Sequence, residues 1–531
     1  MKTRRILTVM LAMAAVCPAS AQNSSTNRME KGFGAARKEM YQRYNDFRKK
    51  CIQEYSEFVR NAWKDYEANP AIEAPKEKEV APMLAPGADE KTASWFSKMF
   101  GGRNVEGKPN AKRPPVKAKP EPKAKPQPRQ AVEFTVKNVI KAEAKTPQPQ
   151  PIAEVKEDDF FPNPYYKFNV FGTECQVRMG DNCRIKLKSV SPDDVADAIE
   201  ENFKETQFDN MLFDCLKERK RHDFSDWAYY QMLLSLTNSF YGKGTNEGVL
   251  VRAFLYSQSG YKMRMATDGS HLFMLTASKH FIFGKKYFFM DGEWYYLLDD
   301  SDSNKLTICE AAFPKESSLS LQMTAVQKLS ENPTQQRTIT SAKNPDWSFT
   351  ITSNKNYLDF YETYPSSSVN QDFMTRWAMY ANTPMEEGVR EQLYPQMKQK
   401  LQGLSQQDAV QNLLWWVQTG LEYQYDEEIW GADRAFFGEE SLFYPFCDCE
   451  DRSILLSHLV RELVGLDVIL VYYPGHLAMA VGFTDNVAGD HIVLDGRKFV
   501  VCDPTYIGAS VGETMPSMRG LDTTVILLQA S

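Results

Sequence analysis

The sequence is poor in the residues that hold metals and has no long apolar stretch. Its histidines, His222, His271, His280, His458, His476 and His491, include no pair spaced by a helical turn, and no Cys-x-x-Cys occurs. Those absences argue against a zinc-type centre. Phosphate-loop and dinucleotide fingerprints are missing too, since Gly242-Lys243-Gly244 is too short to count. No cofactor or metal is therefore expected. Beyond the run from Ile6 to Val16, no stretch approaches the about 20 apolar residues needed to span a bilayer, so no transmembrane segment is expected. The net charge of -6 lacks the basic excess that a nucleic-acid partner would demand.

What is present starts with Lys2, Arg4 and Arg5 ahead of that apolar run and a small-residue Ala19-Ser20-Ala21 site. This pattern reads as a signal peptide over 1–21, cleaved after Ala21, giving an exported protein, periplasmic or secreted. The bulky Val16 before Cys17 disfavours a lipoprotein signal. Nine cysteines become eight once Cys17 leaves, in a compartment that permits disulfides. Cys175 and Cys183, in strand-like runs flanking Gly180, Asp181 and Asn182, are the one pair that suggests itself, with buried free thiols as the alternative.

From 22 to 68 the chain is polar, with Met40, Tyr44, Phe47, Cys51, Tyr55, Phe58, Ala62 and Tyr66 recurring at helical spacing. The pattern predicts an amphipathic helix that docks, through residues 28–67, on a partner, on a copy of itself, or back on its own chain. Residues 69–164 hold 16 of the 28 prolines, and between Arg103 and Lys145 there are 12 Lys and Arg against 4 Glu. Such a composition buries too little to offset its ordering entropy and predicts a disordered, extended linker. Two interruptions, Trp95 to Phe100 and Val132 to Ile140, are apolar enough to dock. From Tyr165 onward helix-like and strand-like runs alternate, which predicts an α+β fold.

The chemistry concentrates in the last third. Cys449-Glu-Asp-Arg opens a helix whose apolar face carries Ile454, Leu455, Leu459, Val460 and Leu463 and which stops at Gly465. A cysteine at a helix N-terminus meets unpaired N–H groups and the positive end of the helix dipole, which should draw its thiol pKa toward neutrality. A strand-like run, Leu466 to Tyr473, leads through Pro474-Gly475 into a second run opening with His476, and a third run, Lys498 to Tyr506, carries Asp503. In an antiparallel sheet the start of one strand lies beside the end of its neighbour, so His476 and Asp503 can meet under the helix start. The roles follow: Cys449 as nucleophile, His476 as base, Asp503 as orienting acid. The Cys449 N–H is one oxyanion donor, with Gln424, Trp430 and Tyr444 as candidates for the second.

The Cys-Glu-Asp-Arg helix start, the Pro-Gly-His strand start and the Asp-Pro-Thr strand end together resemble the transglutaminase-like superfamily, strongly over Glu440 to Gly520. The resemblance implies a papain-like fold, with a helix packed on an antiparallel sheet, and thiol chemistry on amide carbonyls of a protein or peptide substrate. Cys447 departs from the pattern, where a small residue is common two positions before the nucleophile. An ungapped overlay of Gly244–Gly260 on Cys449–Gly465 continues to set His271 on His476, both 27 residues on, and Asp299 on Asp503 with one residue extra. Tandem transglutaminase-like domains are thus expected: a degenerate copy over 165–300, with Gly244 in the nucleophile's place, a β-rich connector over 301–369, and a catalytic domain over 370–531. The expected function is an exported peptidase, amidase or acyltransferase. The competing expectation is a non-catalytic binding or scaffold protein of the cell envelope.

Overall fold

In the computed structural model the described residues are 26–76, 79–100, 130–155, 157, 163–204, 207–299 and 303–529, which leaves the expected signal peptide and the core of the Pro/Lys-rich stretch outside them. The chain is mixed α+β and divides into two compact units. Unit 1 takes the chain through Ile72, then Pro147–Lys279 and Lys285–Leu321. Unit 2 takes Glu73–Thr146, His280–Gly284 and everything from Gln322 on.

Each unit is built on a six-stranded sheet. In unit 1 the strands run edge to edge as Trp63–Glu67, Lys305–Cys309, Met263–Thr267, Leu272–Ser278, Glu293–Leu297 and Tyr287–Met290, every pair antiparallel. In unit 2 they run as Val136–Ile140, Thr523–Leu527, Asp467–Tyr473, His476–Gly482, Arg497–Cys502 and His491–Leu494. The order is the same by rank along the chain: an early strand, the last strand, a central hairpin, then two strands in reversed order. Only Val136–Ile140 breaks the match, running parallel to its neighbour.

Alternation explains why these runs form sheets. Ile469, Val471 and Tyr473, with Ala478, Ala480 and Val501, share one core face. The intervening Leu470, Met479 and Val481 are buried too, because the helix Cys449–Leu459 covers that face. That helix runs on through a π-turn, Val460–Val464, and stops at Gly465, whose φ of 73° is one that side chains resist.

Several expectations need correction. The N-terminal helix is real, Thr26–Asn61, but it ends before Tyr66, which lies in the strand Trp63–Glu67. Of the stripe Cys51 is buried and Tyr44 exposed; the helix also buries Ser56 and Val59, packs on Pro192–Phe203, and sends Arg60 to Asp193 and Asp197. The linker expected over 69–164 is structured in two stretches of unit 2. Met83–Leu84 pairs with Tyr506–Ile507, Glu90–Phe100 is a helix with Phe96 and Phe100 buried, and Val136–Ile140 closes the sheet. Averaged composition hid short apolar segments that borrow a core built elsewhere. The connector over 301–369 is no separate module, since Lys305–Cys309 belongs to the sheet of unit 1 and the hairpin Arg337–Thr340/Ser348–Ile351 to unit 2. Within that expected β-rich stretch Lys355–Tyr361 is a helix, opened by the Asn354 cap. Cys175 and Cys183 are unpaired and buried, as are the other cysteines among the described residues. No helix among the described residues is long and apolar enough to cross a membrane.

Candidate functional site

Cys449 is the first residue of its helix. Asp448 caps that helix by accepting the Asp451 N–H, and the Asp451 carboxylate accepts the Asp448 N–H in return. The Cys449 sulfur receives the Leu477 N–H, one residue past His476, and its thiol donates to Glu450 Oε2 at 3.2 Å. The motif therefore docks the sulfur on the start of the histidine's strand.

His476 Nε2 lies 3.0 Å from Asp503 Oδ2. The other Asp503 oxygen accepts the N–H groups of Thr505 and Tyr506, which fixes the carboxylate. With Nε2 engaged by a carboxylate, the lone pair sits on Nδ1, and Nδ1 is buried without a hydrogen-bond partner. The ring stacks on Tyr473 at 6.3 Å and 19°. A histidine oriented through one nitrogen and bare at the other is set up to accept a proton there.

Two residues without an assigned role in the sequence reading hold the parts together. Arg452, fully buried, donates to the carbonyls of Gln418, Leu421 and Pro504, the last adjacent to Asp503. Gln418 Nε2 in turn donates to the Asp503 and Tyr506 carbonyls. The helix that opens with Cys449, the helix Gln406–Gly420 and the Asp503 loop are thus tied by buried hydrogen bonds. Arg452 stands inside the quoted motif, three residues after the cysteine; its placement one helical turn on was legible, its partners were not.

The electrostatics run against the simple expectation for Cys449. Burial pushes its thiol well above the ordinary value, and the Glu450 and Glu79 carboxyl groups push it further, while the Leu477 N–H pulls the other way. The helix dipole is outweighed by desolvation and by anions within reach. Around the helix start Asp426, Asp448 and Asp451 are likewise driven well up by burial and by the Glu450 carboxylate, and Glu79 is pushed up to about 9 by burial and Glu450. Cys447 carries no disulfide, and burial raises its thiol to about 11.

Among the oxyanion candidates, Gln424 adjoins the motif, its N–H pointing to the Cys447 carbonyl at 3.4 Å. Tyr444 donates its hydroxyl to Glu362, and Trp430 packs edge-on against Tyr444 and Phe436, under the Arg434 guanidinium. Trp430 lines a cavity of about 450 Å³ with Tyr361, Tyr364, Tyr380 and Arg376. Arg376 bonds Asp433 at 2.7 Å and lies 3.7 Å from Glu450, the residue after Cys449.

In unit 1 the corresponding helix, Asn246–Gln258, is capped by Thr245, with Gly244 in the preceding turn. By cap position the counterpart of Cys449 is Asn246, not Gly244 as the ungapped overlay had it. The contacts agree: Asn246 Oδ1 accepts the Leu272 N–H, as the Cys449 sulfur accepts that of Leu477, and each leucine follows a histidine. The overlay failed because the span from helix start to the second hairpin strand is two residues shorter in unit 1, where the helix and the first hairpin strand are both shorter: Leu272 follows Asn246 by 26 residues and Leu477 follows Cys449 by 28. His271 is exposed and bonds Asp268, while Asp299 bonds Arg252, so these two do not form a pair.

Comparison with protein-family models, with characterised proteins and with solved structures gives no match.

Proposed function

We propose that unit 2 is a thiol enzyme acting on amide or peptide bonds through Cys449, His476 and Asp503. The observation that carries this reading is the histidine: Nε2 held by a fixed carboxylate, Nδ1 bare, at the head of the strand that also docks the Cys449 sulfur. His476 Nδ1 takes the thiol proton, the sulfur attacks the carbonyl carbon, and the imidazolium returns the proton to the leaving amine. A thioester on Cys449 remains, and water or a second amine, deprotonated by the same nitrogen, releases the acyl group. Asp503 holds the tautomer, and the Cys449 N–H faces the oxyanion. Under this reading both units are transglutaminase-like folds, the first with an amide in place of the thiol, and the protein acts after export to a periplasmic or extracellular compartment on a protein or peptide substrate.

One observation favours the competing reading of a non-catalytic scaffold: Cys449 is only 3% exposed and its thiol is raised, not lowered. The test is turnover by the purified mature chain on a dye-labelled unfolded protein, following both fragment release and incorporation of a fluorescent primary amine. The enzyme reading expects one of these signals, abolished by Cys449→Ala and by His476→Ala. Signals identical in wild type and Cys449→Ala would sink it.

A further inference from the structure

The catalytic trio is shut in. Cys449 is 3% exposed, and His476 and Asp503 are 1% exposed each. No polypeptide substrate reaches a sulfur buried to that degree, so something covers it. The segment 79–88, which composition assigns to the linker, runs beside the elements that carry all three.

Glu79 accepts a hydrogen bond from the Tyr423 hydroxyl at 3.1 Å, and its carboxyl group is close enough to act on the Cys449 thiol. The Val80 N–H donates to the Gly475 carbonyl at 2.8 Å, immediately before His476. Met83 and Leu84 lie parallel to Tyr506 and Ile507, three and four residues past Asp503, and the Ala85 N–H donates to the Ile507 carbonyl at 2.9 Å. Val80, Met83 and Ala85 pack on the sheet core, and Leu84 packs with Tyr423 and Ile507. Where the segment turns into its helix, Ala88 and Thr92 press on Gly508, and a Cβ there would come within 2.9 Å of Ala88. The segment thus passes in extended form from the cysteine's neighbours, past the histidine's turn, to the strand beyond the aspartate.

The matching place in unit 1 serves as an internal control. Asn246 is half-buried and His271 exposed. The helix-to-hairpin junction does not bury its own residues to the degree seen in unit 2.

We infer that residues 79–85 occupy the acyl-donor groove of Cys449 as an intramolecular strap, and that the groove is built for an extended polypeptide which the strap imitates and excludes. This rests on the reading of Cys449 as the nucleophile. The strap's bonds show what the groove offers a substrate: the Gly475 and Ile507 carbonyls as backbone acceptors, apolar footing on Tyr506 and Ile507, and the Tyr423 hydroxyl for a polar side chain. Recognition is by strand addition, in which backbone bonds give affinity and alternate side chains give selectivity. The protein as folded is a latent enzyme, and substrate or a partner must displace the strap before acylation.

The experiment measures reach, not turnover. The full mature chain and Val80→Pro/Ala85→Pro, which lacks both strap N–H donors, are treated with a small methanethiosulfonate reagent, and modification of Cys449 is followed by peptide mass spectrometry. The strap predicts at least a tenfold faster modification in the variant, slowed again by a synthetic peptide of residues 79–88 added in excess. Unchanged modification, with hydrogen exchange showing the strap amides free, overturns the inference. Should the double proline not fold, Leu84→Ala removes the packing on Tyr423 and Ile507 and leaves in place Glu79, whose carboxyl group acts on the thiol; it is expected to speed modification severalfold, and no change there counts equally against the strap. An uncovered Cys449 that reacts only at the rate of an ordinary thiol would speak against the enzyme and still for the strap.

Discussion

The two units share a strand order and differ at one junction. In unit 2 the helix start and the hairpin start hold a thiol and a buried imidazole on a fixed carboxylate; in unit 1 the same places hold an amide and a solvent-facing imidazole. Asn246 keeps the structural half of what Cys449 does, capturing the leucine N–H after the histidine, and lacks the chemical half. Both helix starts thus place a hydrogen-bond acceptor at that position, and the units differ there in the atom that accepts and in the setting of the histidine before the leucine.

The sharpest way to break this comparison is to exchange residues across it. Cys449→Ala and His476→Ala should each remove all turnover, while Asn246→Ala and His271→Ala leave it within twofold. If the unit 1 substitutions cost as much as those in unit 2, the division of labour drawn between the units is wrong.

A second contrast is Arg452. Three residues after Asn246 the corresponding position is the apolar Val249, whereas Arg452 spans three buried carbonyls. Arg452→Met should cost about 3 kcal/mol, because it strips charge-assisted bonds from carbonyls that no water reaches. A urea midpoint shift equivalent to less than about 1 kcal/mol would show that the carbonyls find other partners.

pH should separate the units in opposite directions. In unit 2 burial raises Glu79 to about 9, Glu439 to about 8 and Glu386 to about 7, from an ordinary 4.5. Between 4.5 and those values the unfolded chain has lost protons that the folded chain keeps, so unit 2 loses stability as pH rises through this window. In unit 1 burial opposes ionisation of Asp268, Glu293 and Glu310 but is outweighed, by the N–H groups of His271 and Ser270 for Asp268, by Lys262 for Glu293 and by Lys64 for Glu310. Asp268 is held at about 2, so stability from these groups is present above about 4 and lost as pH falls below it. Hydrogen exchange at pH 5, 7 and 9 should show unit 2 loosening toward pH 9, with unit 1 loosening only on further acidification to pH 3. Parallel behaviour of the two would contradict this. The smallest effect belongs to Asn246→Ala, about 1 kcal/mol for the half-buried bond from Leu272 and the exposed one to the Ser270 carbonyl, read as faster exchange at Leu272.

Much of unit 2 was legible because its signals are local. A capped apolar helix opening on Cys449, a Pro-Gly turn before His476 and a β-branched run ending at Asp503 each specify an element without help from distant residues. The topology of both sheets was less so. Val136–Ile140 is short and is stabilised by Thr523–Leu527, far away in sequence, and no periodicity in five residues announces that. The raised Cys449 thiol was out of reach for the same reason: the dipole of its own helix is readable from the motif, whereas burial and Glu79, 370 residues upstream, are tertiary facts. The strap was hidden by averaging, since Val80, Met83 and Leu84 sit among prolines that set the composition of the whole stretch.

The central claim is that His476 activates Cys449. The most direct measurement is the pH dependence, from 5 to 10, of Cys449 alkylation in the full chain carrying Val80→Pro/Ala85→Pro, with and without His476→Ala. The account predicts a rate that levels off below about pH 8 and falls at least tenfold at neutral pH on loss of the imidazole. A rate that climbs tenfold per unit past pH 9 and ignores His476→Ala would mark Cys449 as an ordinary buried thiol.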